Sequence, residues 1–600
     1  MQCGPVLAMA TALLGRCLSS MHCSCHPPRA NFRVPLLTTR KPSLSFRVSG
    51  PRYAPRCEYS SEVAAESDDG THVGETQELE SLSESIKNAK NASDKPKNFF
   101  PKKGQDLEMV CESLAYKGLG LCKVVDTGFV VFCERALPGE RLIARILKKK
   151  KGFAEAYKLK TLSVHDNAVE APCEYFGECG GCKTQNLTYE AQLREKEQQV
   201  HDLIARLGKF GNSPLSGEPG SYMMPIVPCA TPYAYRNKME FSYGTKKWKS
   251  KGLFVSPKLE DVNESGPKLE FALGLHAPGR FDKIMPIHNC LLQHDVSNQV
   301  LKLVQDHGER HLEELPPYDV RTHEGFLKHL TIRSGRDCET GQLQLMVNFV
   351  TKGDKKDLLQ PLVDQITTSF PQVVSIVNNV NSAVGPSSIV DKEHVLYGKA
   401  YITERLRGLV FEISANSFFQ TNTSQAEVLY QKVEEQCALK GDGSEVLLDL
   451  FCGTGTIGLS MAKRVKHVYG YELVQEAVVD ARRNAARNGI QNATFIQGDL
   501  NKLTDEFGKD FPRPDVVITD PNRPGMHIKL IKYLLQLRAR RIVYISCNPA
   551  TCARDLDLLC HTGDEGVESP TRYRLVHVQP VDMFPQTPHI ECITTLELCE

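Results

Sequence analysis

Three features of the C-terminal third carry side chains that could do chemistry. Cys547 stands at the predicted end of a strand, where Asn548 and Pro549 break the strand and expose the thiol. Upstream, residues 447–458 predict a strand that runs into a glycine-rich turn. Downstream, Glu591 supplies a carboxylate beside a further strand. A nucleophile, a candidate base and a nucleotide-type cofactor loop therefore lie in one region of the chain.

The glycine-rich turn matches the pattern GxGxxG from Gly453 to Gly458. Such a match alone is weak, and it fits both NAD and S-adenosylmethionine. Glu472, about 20 residues further on, can accept hydrogen bonds from ribose hydroxyls in either case. Asp449, inside the strand end, favours S-adenosylmethionine, because a carboxylate can organise a cationic amino-acid tail. Asp499 is placed to meet the adenine edge.

Cys547 gives the pattern a specific chemistry. C5 of uracil is a poor nucleophile, but a thiolate that adds at C6 turns C5 into an enolate carbon that can attack a sulfonium methyl group. A dehydrogenase would not explain such a cysteine. The alternative is a buried core thiol, the usual fate of a lone cysteine. Its position at a strand end in the cofactor region favours the nucleophile.

The elements around these residues alternate between strands and helices from residue 408 to 600. This alternation predicts a largely parallel, doubly wound α/β sheet, Rossmann-like in class. The predicted strands are 445–450, 467–471, 515–519 and 541–546, and the predicted helices between them are 474–488 and 529–537.

The N-terminal 57 residues contain eight arginines and lysines and no acidic residue. This composition predicts a mitochondrial transit peptide, and hence a matrix protein. A secretory signal and a disordered cytosolic extension are the alternatives. Residues 58–97 are acidic and polar, which predicts a flexible linker. No run approaches the ~18 to 20 apolar residues of a membrane span, so we expect no membrane partner. We also expect the protein to be a monomer.

Between the linker and the α/β region, two further domains are expected. Residues 98–165 alternate apolar and polar positions between turn signals and resemble a TRAM domain, a small OB-like RNA-binding β-barrel. The lysine run 148–151 could follow a phosphate backbone, although a solvated loop is the simpler interpretation of the run alone. Residues 166–407 predict a mixed α+β central domain, with an amphipathic helix over 189–207.

A cysteine cluster in the central domain has the spacing C-x5-C-x2-C, at Cys173, Cys179 and Cys182. Three thiolates from one glycine-rich loop suit an iron–sulfur cluster, with Cys290 as the expected fourth ligand. Four thiolates also suit zinc, and a metal-free loop is the third alternative.

Several strings resemble the RNA uracil-5 methyltransferase family over residues 104–600. With the leader, the chain resembles the mitochondrial members from vertebrates. The resemblance implies that Cys547 is the nucleophile and Glu591 the base that removes the C5 proton. It also implies a [4Fe-4S] cluster at the cysteines. The strings are 235–238, 417–422, 448–453, 520–521, 546–549 and 589–591.

The same resemblance implies a set of binding residues. Phe418 would contact the target base, and Arg523 would lie on the substrate side. Two positions depart from the family's usual pattern: Asn522 replaces a proline, and Gln586 replaces a histidine. The residues implied to contact S-adenosylmethionine are Gln420, Phe451, Thr456, Glu472 and Asp520.

The expected activity is therefore methyl transfer from S-adenosylmethionine to C5 of uridine in structured RNA, either tRNA or rRNA or both, through a covalent adduct between Cys547 and C6. A cytosine-C5 enzyme would need a proton donor to N3, which the sequence does not indicate. An adenine-N6 enzyme would carry an aromatic residue where Arg523 stands. A non-catalytic RNA-binding factor would not need Cys547 and Glu591.

Overall fold

The structure is a computed structural model that describes residues 99–599, apart from 212–217, 219, 249–269, 385–389, 504–506, 510 and 563–571. The predicted transit peptide, residues 1–57, and the predicted linker, residues 58–97, lie outside the described residues.

The first five strands close into a barrel with the order β1-β2-β3-β5-β4. Apolar side chains alternate along the strands, and those that point inward are mostly small, such as Cys122, Ala144 and Ala156. Small side chains fill the narrow interior of a five-stranded barrel without strain. The strands are β1 (Asp106–Ala115), β2 (Leu119–Val124), β3 (Val130–Glu134), β4 (Arg141–Lys149) and β5 (Ala154–Ser163).

A long helix, α1 (Tyr189–Arg206), follows the barrel and begins at Thr188, whose hydroxyl accepts a hydrogen bond from the amide of Ala191 at 3.4 Å. Val200 and Ile204 are buried, as the amphipathic pattern predicts. Two polar residues of the helix are also buried, Gln192 and Lys196. The helix therefore packs against polar groups as well as against hydrophobic side chains.

The central region contains a seven-stranded mixed sheet with the order β12-β11-β10-β9-β6-β7-β8. Only β10 and β11 run parallel among the paired strands described. Two helices, α2 (Asp295–Arg310) and α3 (Gln360–Ser369), share a core with one face of the sheet. The strands are β6 (Lys238–Gly244), β7 (Ala272–His276), β8 (Ile284–Pro286), β9 (Leu327–Arg336), β10 (Leu343–Thr351), β11 (Val373–Val380) and β12 (Lys392–Gly398).

A hairpin, β13 (Tyr401–Leu406) and β14 (Leu409–Ser414), leads into the C-terminal sheet. Five helices accompany that sheet: α4 (Thr423–Cys437), α5 (Thr456–Met461), α6 (Gln475–Arg487), α7 (Ile528–Leu537) and α8 (Pro549–Asp557). Its strands are β15 (Val446–Leu450), β16 (His467–Glu472), β17 (Ala493–Gln497), β18 (Val516–Thr519), β19 (Arg541–Ser546), β20 (Tyr573–Val581) and β21 (Glu591–Leu598).

The C-terminal sheet has the order β17-β16-β15-β18-β19-β21-β20. Strands β15 to β19 run parallel, and β21 runs antiparallel to both β19 and β20. This confirms the predicted doubly wound α/β class. The strand order reverses at β15, where such sheets open a crevice for a ligand. In the described part of the chain, no helix is both long and apolar enough to cross a membrane.

Candidate active site

The glycine-rich turn follows β15, at the point where the strand order of the sheet reverses. Phe451 and Gly455 both have positive φ, 63° and 78°. A Cβ on Gly455 would lie 2.8 Å from the ring of Phe495. Glycine is therefore required at 455 by both conformation and space, which lets the backbone approach a ligand closely.

Asp449 lies under this turn and is fully buried. Its Oδ2 accepts a hydrogen bond from the amide of Gly458 at 2.9 Å, whereas its Oδ1 has no partner among the described residues. Burial raises the pKa of Asp449 to about 7, against the lowering effect of the Gly458 amide, and the charges of Asp520 and Glu472 add to the rise. A cation is the ligand that would relieve this cluster of carboxylates.

Other predicted cofactor residues border the same turn. The carboxylate of Glu472 accepts hydrogen bonds from the amides of Gly453 at 3.1 Å and Val474 at 2.9 Å. Its orientation is thereby fixed at the end of β16. The hydroxyl of Thr456, at the start of α5, lies 3.1 Å from the hydroxyl of Tyr430.

Asp499 and Asp520 follow β17 and β18. Asp499 pairs with Lys502 at 3.3 Å and accepts a hydrogen bond from the amide of Asn501 at 3.0 Å. Burial tends to raise the pKa of Asp499, but these contacts outweigh it and the pKa is lowered, so the carboxylate is ionised. Asp520 has its pKa raised to about 7 by burial.

Cys547 and Glu591 lie at the end of the β19–β21 pair. Ser546 is paired with Cys592 across these antiparallel strands, so the register continued by one residue sets Cys547 opposite Glu591. Glu591 is 6% exposed, and burial, followed by the charge of Asp520, raises its pKa well above the ordinary value. Burial and the charges of Glu591 and Asp520 raise the pKa of the Cys547 thiol to about 11. The thiol and the carboxyl group therefore share one site.

The loop after β18 is attached to the same site by backbone contacts. The carbonyl of Arg523 accepts hydrogen bonds from Nδ2 of Asn548 and from the hydroxyl of Thr551, both at 3.0 Å. The charge of Arg523 opposes the rise in pKa at both Cys547 and Glu591. Asn522, the departure from the family's proline, forms a turn in which its carbonyl accepts a hydrogen bond from Gly525 at 2.8 Å.

Phe418 and Gln420 lie on a loop between β14 and α4. Phe418 is 70% exposed, unusual for so large an apolar side chain. Nδ2 of Asn237 donates to the carbonyl of Gln420 and to the hydroxyl of Thr423, both at 2.8 Å. Arg333 donates to the carbonyl of Ser417 at 2.5 Å. Residues of the central sheet thus position this loop, a role that sequence reasoning did not assign to them.

Helix α1 contacts the loop that leads to Glu591, which explains its buried polar residues. Lys196 donates from Nζ to Asp582 at 2.7 Å and to the carbonyl of Phe584 at 3.2 Å. Gln192 and Gln586 exchange two hydrogen bonds, at 3.0 and 3.1 Å. Gln586, the second departure from the family's pattern, therefore has a partner on α1. No sequence signal connects residues so far apart along the chain.

The four predicted metal ligands are not assembled as a metal centre. Within the ranges that the structure describes, no group of three or more His, Cys, Asp or Glu side chains is arranged to bind a metal ion. Cys179 and Cys290 instead pack against the core of the central sheet. Burial, followed among the thiols by the charges of Cys179, Cys290 and Cys173, raises the pKa of Cys182 to about 12. The structure therefore gives no support to the predicted iron–sulfur cluster.

The chain is similar in sequence to known methyltransferases of RNA. The family model described as tRNA (Uracil-5-)-methyltransferase matches residues 382–598. The chain is 39% identical over 492 residues to a Porphyromonas gingivalis protein named as an uncharacterized RNA methyltransferase, an alignment that covers 81% of this chain and 99% of that protein. A protein of the same name from Chlorobaculum tepidum is 38% identical, with 83% and 98% covered.

Among solved structures, the chain is similar to the tRNA (uracil-54, C5)-methyltransferase of Pyrococcus abyssi in complex with S-adenosyl-L-homocysteine. The TM-score is 0.59 and the sequence identity 27%, over 82% of this chain and all of that one. The likeness extends beyond the C-terminal sheet, since it covers most of the described residues. The chain therefore belongs to the tRNA (uracil-5-)-methyltransferase family, and it is an S-adenosylmethionine-dependent RNA uracil-5-methyltransferase.

Proposed function

We propose that this enzyme methylates C5 of a uridine in structured RNA, tRNA or rRNA or both, through a covalent bond between Cys547 and C6. The observation that carries the proposal is the placement of Cys547 opposite Glu591 at the end of the β19–β21 pair. One group can attack one face of the pyrimidine while the other removes a proton from the adjacent carbon.

The two side chains act in sequence. The thiol of Cys547 loses its proton to solvent, the resulting thiolate adds to C6, and the electron density gained at C5 makes that carbon nucleophilic. S-adenosylmethionine supplies the methyl group as an electrophilic sulfonium. Glu591 then accepts the C5 proton, and the C6–sulfur bond breaks as the C5–C6 double bond re-forms. Methyl transfer leaves S-adenosylhomocysteine, and the final step regenerates the thiolate of Cys547. Because burial raises the pKa of Glu591, its carboxylate is a stronger base than an exposed one.

We propose roles for the remaining predicted residues, which their positions support. Asp449 and Asp520 supply carboxylates for a cationic cofactor. Glu472 ends β16 and Asp499 follows the end of β17, where ribose and adenine would bind. Phe418 presents an exposed ring to the target base. The proposed cofactor set also includes Gln420, Phe451 and Thr456, and the proposed substrate set includes Arg523.

The RNA would also contact the barrel. We assign residues 98–165 as a TRAM-like RNA-binding domain, residues 166–407 as the central domain and residues 408–600 as the methyltransferase domain. The closed barrel and the exposed side chain of Lys148 on β4 support the first assignment. The Pyrococcus abyssi relative acts on tRNA by its name, which supports a tRNA substrate here.

Trapping the adduct tests the mechanism. Glu591→Gln should still allow attack and methyl transfer, because neither step removes the C5 proton, but release should stall. We expect a denaturant-resistant protein–RNA complex in Glu591→Gln that is absent from Cys547→Ala and from the double variant. Ordinary turnover by Cys547→Ala would eliminate the covalent mechanism. The substrate would be whole RNA from cells lacking the protein, in which methylated uridines are mapped before and after treatment.

We also propose import into the mitochondrial matrix, because residues 1–57 are basic and free of acidic residues. A fluorescent reporter fused to residues 1–60 should co-localise with mitochondria. A cytosolic or secreted reporter would contradict the proposal. A second fusion, with the arginines of the leader replaced by glutamine, serves as the control for charge.

For the cysteine loop, we propose a [4Fe-4S] cluster held by Cys173, Cys179, Cys182 and Cys290. The C-x5-C-x2-C spacing of the first three cysteines supports it. Protein purified without oxygen should contain iron and sulfide in similar amounts, and Cys179→Ser should lose both. Stoichiometric zinc would establish the rival metal, and metal-free protein would refute both.

A further inference from the structure

Two cations face each other on the central sheet. Lys238 on β6 is directly opposite Arg333 on β9. Residues paired in this way point to the same face of a sheet, and like charges directly opposite each other are destabilising. A protein gains nothing in stability from this pair, so its presence calls for another explanation.

Arg333 is also unusually buried for an arginine. It is 4% exposed, and its Nε has no hydrogen-bond partner among the described residues. One Nη donates to the carbonyl of Ser417, the residue before the exposed Phe418. Burial lowers the pKa of Arg333 to about 10, although the charge of Glu240 opposes this. A buried cation with unused donors is costly unless an anion completes its contacts.

Arg236 adds a third positive charge. Its Nε lies 3.5 Å from the carbonyl of Lys238. Burial lowers the pKa of Lys238, and the charges of Arg333 and Arg236 lower it further. Glu240 offsets the positive charge of the cluster only weakly, because its side chain is 57% exposed and its carboxylate lies 3.9 Å from the ammonium group of Lys238.

This cationic cluster, Arg236, Lys238 and Arg333, borders the active site. Arg333 donates a hydrogen bond to the carbonyl of Ser417 in the loop that carries Phe418. The charge of Arg236 acts on His589, two residues before Glu591, together with those of Arg523 and Lys196. An anion bound at the cluster would therefore lie near the Phe418 loop and within electrostatic range of His589.

We propose that the cationic cluster binds a backbone phosphate of the substrate RNA, at the target nucleotide or its immediate neighbour, while Phe418 contacts the base. The proposal rests on the RNA methyltransferase function proposed above and adds the part of the substrate that the central domain recognises. Arginine and lysine together suit a phosphate, since the guanidinium donates two aligned hydrogen bonds and the ammonium adds charge.

The test uses the full-length enzyme and an RNA whose methylated uridine has been mapped. Lys238→Met should weaken RNA binding about tenfold and reduce the slope of log Kd against log salt concentration by about one. Affinity for S-adenosylmethionine should not change. The matched control is Lys432→Met on α4, whose side chain is 33% exposed against 31% for Lys238. It should leave both the affinity for RNA and the salt slope unchanged.

Chemically neutral phosphates locate the contact. RNAs with a single methylphosphonate at each phosphate flanking the uridine are compared in wild type and Lys238→Met. At one position the wild type should lose about tenfold in affinity while Lys238→Met loses little more, because the same contact is already absent. Arg333→Lys, which keeps the charge but not the paired donors, should give an intermediate loss at that position.

The outcomes distinguish a failure of the phosphate-site proposal from a failure of the proposed function. If wild type forms 5-methyluridine but every methylphosphonate effect adds independently to Lys238→Met, the phosphate site is refuted while the proposed function survives. If wild type forms no 5-methyluridine on any RNA, the proposed function itself fails. A loss of S-adenosylmethionine affinity in Lys238→Met would assign the cluster to the cofactor side and also refute the proposal.

Discussion

Cys547 and Glu591 lie opposite each other across an antiparallel strand pair, one residue beyond the paired Ser546 and Cys592. Strand register therefore sets their separation, and neither depends on a long loop for its position. The charge of Glu591 also raises the pKa of Cys547. Removing that charge should therefore change the reactivity of the thiol.

The reactivity of Cys547 should depend on pH in a specific way. Its pKa is raised to about 11, so the thiol keeps its proton at neutral pH and the thiolate increases only as pH rises. In protein without cofactor, we expect iodoacetamide to alkylate Cys547 slowly at pH 7 and the rate of alkylation to increase steeply above pH 9. Peptide mass spectrometry measures this rate. Glu591→Gln should accelerate alkylation of Cys547 at pH 9 and leave the exposed Cys599 unaffected. A midpoint below pH 8 in wild type would contradict this assignment.

Cofactor affinity should weaken on acidification. The pKa values of Asp449 and Asp520 are raised to about 7, so below that pH these groups are protonated and no longer attract a cation. We expect the Kd for S-adenosylmethionine, measured by calorimetry, to rise about tenfold from pH 8 to pH 6. Asp449→Asn should weaken binding at pH 8 and flatten this dependence. Asp306→Asn, at an exposed position of α2, should behave as wild type.

The glycine-rich turn offers a matched pair of substitutions. Gly455 and Gly443 have similar φ, 78° and 72°, but a Cβ at 455 would lie 2.8 Å from Phe495 whereas nothing lies within 4 Å at 443. Both changes to alanine carry the conformational cost of a left-handed backbone, about 1 to 2 kcal/mol. Only Gly455→Ala should also lose cofactor affinity, by tenfold or more, since the turn must shift. Equal affinities in the two variants would show that the turn adapts.

The buried pair Lys196 and Asp582 should be important for stability. Lys196→Met leaves Asp582 as a buried unpaired charge, and we expect it to lower the free energy of unfolding by about 3 to 5 kcal/mol. Adding Asp582→Leu should recover much of the loss. The control is Lys302→Met, which breaks an exposed pair with Asp306 on α2 and should cost less than about 1 kcal/mol. Thermal denaturation monitored by circular dichroism provides the ranking.

The C-terminal sheet was predictable because its signals are local. Strand β19 matches its predicted bounds, and β15, β16 and β18 differ by one residue at an end. Continuous apolar runs between turns specify such buried parallel strands. The positions of Cys547, Asp449 and Glu472 near one crevice follow from the alternation, since the carboxyl ends of parallel strands share an edge.

What the sequence did not reveal depends on contacts between distant residues. The helix pattern predicted an apolar face on α1, but Leu193 and Leu203 are only partly buried while Gln192 and Lys196 are fully enclosed. Their partners are Gln586 and Asp582, which lie 394 and 386 residues further along the chain. The pairing of Lys238 with Arg333 was hidden for the same reason, because β-strand register in a mixed sheet is set by tertiary packing.

The contact between α1 and the loop before Glu591 also sets an order for the maturation of the chain. Lys196 leaves the ribosome 386 residues ahead of Asp582. At the usual ~5 to 20 residues per second, that interval is roughly 20 to 80 seconds. Throughout it the ammonium group must stay in water, because burial without its partner is unfavourable. The docking of this helix is thus completed by a segment that is synthesised 386 residues later.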